Sequence, residues 1–265
     1  WEAMEASRYE DIPQLIELLD ADIATESDPA WVSHIRWRTS VWLLAENARG
    51  PELSIQEVFS LVMESNLLLE SAWELTPDDN RYYCFHGAML ISMGRIMSDD
   101  TLLAQGIEEI ETAVELDPWY ADSCLILAYN GEPLGSDTFQ QAVDAVWRSG
   151  DSMFSEPLDR SDPDVSEQLE AVLPFCDDYF PFPFLWQGEW LRAGDILVKN
   201  GDLDAAQGFY ENGRLMNYEE WTLYPLLDER IDGMSERSAL YRDTDPSNDP
   251  EIGDPMSQCG MCHAD

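Results

Sequence analysis

Residues 187–218 read QGEWLRAGDILVKNGDLDAAQGFYENGRLMNY, and this stretch decides the fold. Along it lie small residues, namely Gly194, Gly201, Ala206 and Gly213, and two large aromatic residues, Trp190 and Tyr210. Small residues allow the two helices of a hairpin to approach closely, and aromatic side chains fill the groove between them. The stretch therefore predicts a helical hairpin.

The chain repeats this kind of pattern upstream. Three amphipathic runs are each followed closely by a proline, which ends a helix and opens the next turn. The runs are residues 8–24, 55–74 and 102–116, and the prolines are Pro29, Pro77 and Pro118. Each proline is followed by a further helical run, at residues 30–47, 80–97 and 119–129. The chain is therefore expected to be all-α, built from successive hairpins.

The positions quoted from residues 187–218 resemble those of the tetratricopeptide repeat. This copy departs from the repeat at Tyr218, where the repeat carries proline, and a second copy at residues 80–118 has extra residues between its helices. The resemblance covers roughly residues 7–240 and implies a solenoid of helical hairpins. It implies little about function. A last helix over residues 223–241 would cap the solenoid.

Two segments interrupt or follow the repeats. Residues 151–185 begin acidic and polar and end rich in proline and aromatic residues, which predicts an irregular insertion. Its aromatic side chains would either plug the core or form a wall for a flat apolar ligand. Residues 242–265 are acidic and proline-rich, which predicts an extended tail. We therefore divide the chain into a solenoid, residues 1–241, and a tail, residues 242–265.

The tail carries Cys-Gly-Met-Cys-His at residues 259–263. C-x-x-C-H is the attachment signature of c-type haem: the thiols of Cys259 and Cys262 add to the two vinyl groups, and the imidazole of His263 is placed to ligate the iron. Zinc or a redox dithiol is the alternative for these residues. A closed zinc site needs a fourth ligand, and the chain has no second C-x-x-C and no H-x-x-x-H.

Only two residues follow the motif in this sequence, too few to enclose a porphyrin. The pocket is therefore expected from upstream residues or from another copy of the chain, in a head-to-tail contact that builds rings or filaments. His86 or His34 is the candidate for the sixth iron ligand, from the same or a neighbouring chain. The ordinary interpretation of each is a structural histidine with satisfied hydrogen bonds.

The composition limits the partners. The 54 acidic residues far outnumber the 14 basic ones, and the formal net charge is -40. Such a surface repels nucleic acid and anionic membranes. The sequence contains no apolar run of about eighteen residues. It begins at Trp1 rather than methionine, and attachment of c-type haem normally follows export. We therefore expect an exported protein, periplasmic or extracellular and of bacterial type.

Three further cysteines are Cys84, Cys124 and Cys176. The first two fall near the same level of successive hairpins. A disulfide between Cys84 and Cys124 is conceivable in an oxidising compartment, and two small buried apolar residues are the alternative.

Taken together, these features predict an exported cytochrome with one covalent haem c on a repeat scaffold. It would transfer electrons to a redox partner protein and assemble with copies of itself. No motif of a hydrolase, nucleotide-binding protein or zinc protease occurs, so an enzyme is not expected. A haem peroxidase would need an open sixth position and a distal acid/base group. The alternative class is a protein-binding scaffold whose tail binds zinc or has no function.

Overall fold

The fold was analysed in a computed structural model. It describes residues 8–23, 35–36, 39, 53–75, 80–116, 125–126, 129–153, 157–161, 163, 185–215, 223–243 and 245–253. Every regular element in these ranges is helical, and none of them contains a strand. The all-α prediction is therefore confirmed. The chain divides into two compact units, residues 1–117 and residues 118–265.

Four α-helices are described in the first unit. They are α1 (Ile12–Ile23), α2 (Ile55–Leu75), α3 (Asn80–Met97) and α4 (Asp100–Leu116), with a short 3-10 helix, Tyr9–Asp11, before α1. The predicted runs 8–24, 55–74, 80–97 and 102–116 coincide with these helices to within a few residues. The runs predicted at 30–47 and 119–129 lie largely outside the described residues.

Helices α3 and α4 form a tight antiparallel hairpin. Ser98 turns the chain with a positive φ of 55°, and the Asp99 carboxylate caps α4 by accepting from the amide of Thr101 at 2.9 Å. The two main chains meet where Gly87 faces Gly106. A Cβ on Gly106 would lie 2.7 Å from the carbonyl oxygen of Gly87. Glycine is therefore required at this crossing.

Four α-helices are also described in the second unit. They are α5 (Asp137–Met153), α6 (Leu185–Asn200), α7 (Leu203–Leu215) and α8 (Tyr224–Leu240), followed by a short 3-10 helix, Pro246–Asn248. The last helix predicted at residues 223–241 is α8. Residues 151–153, at the start of the predicted insertion, belong to α5; residues 157–161 and 163 are not helical, and the aromatic stretch at 164–184 lies outside the described residues.

Residues 187–218, where described, form the hairpin that their sequence predicts. Gly201 ends α6 in a left-handed conformation, with φ of 100°, and its amide donates to the carbonyl of Leu197 at 2.8 Å. Gly194 of α6 lies against the ring of Tyr210 of α7, which is fully buried. Trp190 packs edge-on against Phe209, with ring centroids 5.0 Å apart. Helix α8 packs on both α6 and α7.

None of the helices within the described ranges combines the length and the apolar character needed to cross a membrane.

Candidate functional site

The residues predicted to bind haem are Cys259, Cys262 and His263, and they lie outside the described residues, as does His34. His86 is described, and so is the chain that leads towards the motif, as far as Gly253. Among the described residues, no three histidine, cysteine, aspartate or glutamate side chains are grouped as metal ligands. Two described parts of the chain bear on these predictions, and each is described by itself: the surroundings of His86 in the first unit, and the root of the tail in the second.

His86 is buried on α3, with 4% of its surface exposed. Its Nδ1 lies 2.5 Å from a carboxylate oxygen of Glu109 on α4. The other oxygen of that carboxylate accepts from the side-chain amide of Gln105 at 3.1 Å. Because an ionised carboxylate only accepts hydrogen bonds, Nδ1 is the donor. A carboxylate on one ring nitrogen is the usual device for orienting a metal-binding histidine, and it equally satisfies a structural one.

An aromatic stack holds the ring of His86. Tyr82 stacks on it with centroids 5.0 Å apart and an interplanar angle of 17°. Trp73 of α2 also stacks on Tyr82, with centroids 5.0 Å apart. Burial, and then the carboxylates of Glu109 and Glu70, raise the pKa of Tyr82 to about 12. Tyr82 is therefore a neutral platform at neutral pH, and the imidazole has a fixed orientation.

Cys84, two residues before His86, is fully buried and disulfide-bonded. Cys124, the partner considered from sequence, lies outside the described residues.

A buried carboxylate organises the root of the tail. Asp195 of α6 has no exposed surface. Its Oδ1 accepts from the hydroxyl of Tyr210 at 2.6 Å and from Nη2 of Arg237 at 3.3 Å. Nε of Arg230 lies 3.0 Å from the same oxygen. These four residues form the Asp195 cluster. Two guanidinium groups and one hydroxyl thus satisfy a carboxylate that is fully buried.

The cluster binds residues 251–253 of the tail through their main chain. The amide of Gly253 donates to Oδ2 of Asp195 at 2.8 Å, and its carbonyl accepts from Arg230 at 3.1 Å. Arg237 donates to the carbonyl of Glu251 at 2.6 Å. The tail is thus held against α6 and α8 up to Gly253, which the sequence analysis did not predict.

Two further contacts hold the tail where it leaves α8. The hydroxyl of Tyr241 donates to the carbonyl of Pro250 at 2.6 Å. The carboxylate of Asp245 accepts from the amide and the hydroxyl of Ser247, at 3.1 and 2.6 Å, and these bonds lower the pKa of Asp245. They support the 3-10 helix, and so the path of the chain between α8 and the cluster.

Lys199, the only lysine in the chain, lies beside this segment in a buried position. Its Nζ donates to the carbonyls of Asn130 and Glu132, at 3.1 and 2.6 Å. It also stands over the rings of Phe139 and Tyr241, at 4.7 and 5.6 Å from the centroids. Burial lowers the pKa of Lys199. The lysine therefore joins the turn before α5 to the end of α6.

Sequence reasoning missed the Asp195 cluster because one buried aspartate is hidden among 54 acidic residues. A signal was nonetheless present. Arg230 and Arg237 are seven residues apart in a predicted helix, which places them on one face. In a chain with so few cations, two on one helix face indicate a buried or paired anion.

No protein-family model, no curated protein and no solved structure matches this chain. Any function must therefore be argued from the residues themselves.

Proposed function

We propose that the protein is an exported electron-transfer cytochrome that carries one covalent haem c on a scaffold of tetratricopeptide type. The observation that carries this proposal is the sequence Cys-Gly-Met-Cys-His at residues 259–263. Two thiols and an adjacent imidazole match the two vinyl groups and the iron of one porphyrin. When bound, the haem supplies one-electron chemistry at its iron.

The donor set fits haem better than zinc. The motif supplies three ligands, and a closed zinc site needs four. Cys259 and Cys262 would hold the porphyrin, and His263 would ligate the iron. The rest of the chain would position the group, exclude water from it and present it to a partner.

The negative charge of the chain supports a partner with a positively charged surface. A formal net charge of -40 creates a strong negative field. We propose a redox partner with a basic docking face, because complementary charge accelerates encounter between proteins. The rate of electron transfer between the two would then fall as ionic strength rises.

The haem pocket is proposed to come from upstream residues or from a second copy in a head-to-tail assembly. Sedimentation at decreasing concentration, with the haem spectrum recorded at each step, tests the second case. Dissociation should change the spectrum if a neighbouring copy covers the haem. A monomer with an unchanged spectrum would contradict assembly through the haem.

The proposed sixth ligand, His86 or His34, is tested by substitution. The bond to Glu109 and the stack on Tyr82 are also what a structural His86 requires. His86→Gln should alter the visible spectrum if the histidine ligates iron. A less stable protein with an unchanged spectrum would assign His86 a structural role alone.

Digestion of the haem-loaded protein provides the direct test of attachment. Arg242 is the nearest lysine or arginine before the motif, so trypsin should release the motif on a peptide that begins at Asp243. The protein is produced in a bacterial host that attaches c-type haem in its periplasm. The peptide should carry the added mass of one haem, and Cys259→Ala with Cys262→Ala should abolish it. Met261→Leu, which leaves the motif intact, is the matched control. An unmodified peptide from the parent protein would contradict the proposal.

The alternative is a scaffold that binds a protein segment, with zinc or nothing on its tail. One observation favours it: the second unit holds an extended segment by its main chain. Elemental analysis separates the two proposals, because the cytochrome should contain iron in a one-to-one ratio and the scaffold should not.

A further inference from the structure

Four hydrogen bonds hold residues 250–253 to the second unit, and all four use main-chain atoms of the segment. They join Asp195 to the amide of Gly253, Arg230 to its carbonyl, Arg237 to the carbonyl of Glu251, and Tyr241 to the carbonyl of Pro250. These hydrogen bonds therefore recognise the backbone path of the segment.

The held segment ends at Gly253, whose backbone conformation favours glycine. Gly253 is buried and adopts a positive φ of 72°, a conformation that residues with a Cβ rarely adopt. Its amide points at the carboxylate of Asp195, which Arg230 and Arg237 hold in place with about 15% or less of their side chains exposed. A hydrogen bond to a buried charged group is among the stronger ones in proteins.

We propose that the Asp195 cluster is a positioning site that fixes the root of the haem-bearing tail. This inference rests on the proposed function only in taking the tail to carry haem. The docking of residues 250–253 does not depend on the haem. Asp195 acts through the chain it holds and does not touch the cofactor.

Because Gly253 is held, the haem motif can extend only a short distance from the Asp195 cluster. Cys259 follows Gly253 by six residues, which span at most about 21 Å. If the tail were free from Tyr241 onward, eighteen residues would allow about 63 Å. For a flexible chain, shortening the tether threefold raises the effective concentration of its end near the root by about fivefold. The cluster therefore keeps the haem beside the second unit.

Hydrogen–deuterium exchange of residues 245–253 tests the proposal in the full chain. Gly253→Pro removes the amide that donates to Asp195 and forbids the positive φ. It should accelerate exchange of this segment by at least about tenfold, because a charged hydrogen bond is lost. Exchange in α6 should stay slow. Glu251→Gln is the matched control, since Glu251 is exposed and binds through its carbonyl.

A pair of substitutions at Arg237 tests the same site from the helix. Arg237→Met should release the segment, and Arg237→Lys, with a similar stem and a restored cation, should recover much of the protection. A role limited to general packing would not distinguish Met from Lys. The proposal is overturned if Gly253→Pro leaves the segment protected, or if the parent protein exchanges there at the rate of an unstructured peptide.

The outcomes also separate this proposal from the proposed function. A protected segment in a chain that never acquires haem would refute the cytochrome and support the positioning site. A haem-bearing chain with an unprotected segment would support the cytochrome and refute the positioning site.

Discussion

Two helix-interior glycines of the second unit, Gly194 and Gly233, should respond oppositely to the same substitution. In α6, a Cβ added to Gly194 would lie 2.6 Å from Cδ1 and 2.8 Å from Cζ of Tyr210. In α8, a Cβ added to Gly233 would meet only Cδ of Arg237, at 3.9 Å. We therefore predict that Gly194→Ala destabilises the unit and that Gly233→Ala stabilises it.

The magnitudes follow from the contacts. In a helix interior alanine is better than glycine by about 1 kcal/mol, which is the whole expected effect at Gly233. At Gly194 this gain is opposed by overpacking, about 1–3 kcal/mol. Displacing the Tyr210 ring also weakens its 2.6 Å bond to Asp195, which adds about 1.5–3 kcal/mol. The net cost of Gly194→Ala is about 1.5–5 kcal/mol.

Urea unfolding followed by circular dichroism measures both variants against the parent protein. The free energies of unfolding of the two variants should differ by about 2.5–6 kcal/mol, which urea titration resolves. Equal effects of the two substitutions, whether stabilising or destabilising, would refute the close fit of Gly194 to Tyr210 and the hairpin geometry argued from it.

Three further predictions concern the core and the alkaline range. Gly106→Ala should destabilise the first unit by about 1–3 kcal/mol, since the carbonyl of Gly87 would have to move; thermal unfolding measures this. Lys199→Met should cost about 1–3 kcal/mol through the two carbonyls it abandons, and Lys199→Arg should cost less in the same urea assay. Burial raises the pKa of Tyr210 and of Tyr241. Their stabilisation is complete below the unfolded pKa of about 10 and is lost as pH rises through the higher folded pKa. Phenolate absorbance should therefore rise together with loss of helix, and titration of every tyrosine near pH 10 with the helix intact would contradict this.

Helices could be predicted where the pattern of residues close in sequence is enough to identify them. Gly194, Gly201 and Tyr210 stand at positions that resemble those of the tetratricopeptide repeat, which implies a close hairpin, and α6 and α7 pack in this way. Helix α5 was not predicted, although its signal was present. Ser136 caps it by accepting from the amide of Phe139 at 3.1 Å, and buried Phe139, Ala142, Val143 and Val146 follow at helical spacing.

The two arginines of the Asp195 cluster indicate a buried anion, but which carboxylate they pair with could not be predicted, because that depends on long-range packing. Asp195 and Gly253 are 58 residues apart in sequence, and nothing local distinguishes this aspartate from the other acidic residues. Its burial follows from the packing of α8 on α6, which brings two arginines to one carboxylate. The haem motif is the reverse case: its chemistry depends on five consecutive residues and can be stated from sequence alone.

The most direct test of the cytochrome is an absorption spectrum of the purified protein, first oxidised and then reduced with dithionite, together with a haem stain after denaturing electrophoresis. We predict a sharp α-band in the reduced spectrum and a stain that survives denaturation, as expected for haem bound through Cys259 and Cys262. A colourless protein, produced in a host that attaches c-type haem to other proteins in the same culture, would contradict the account.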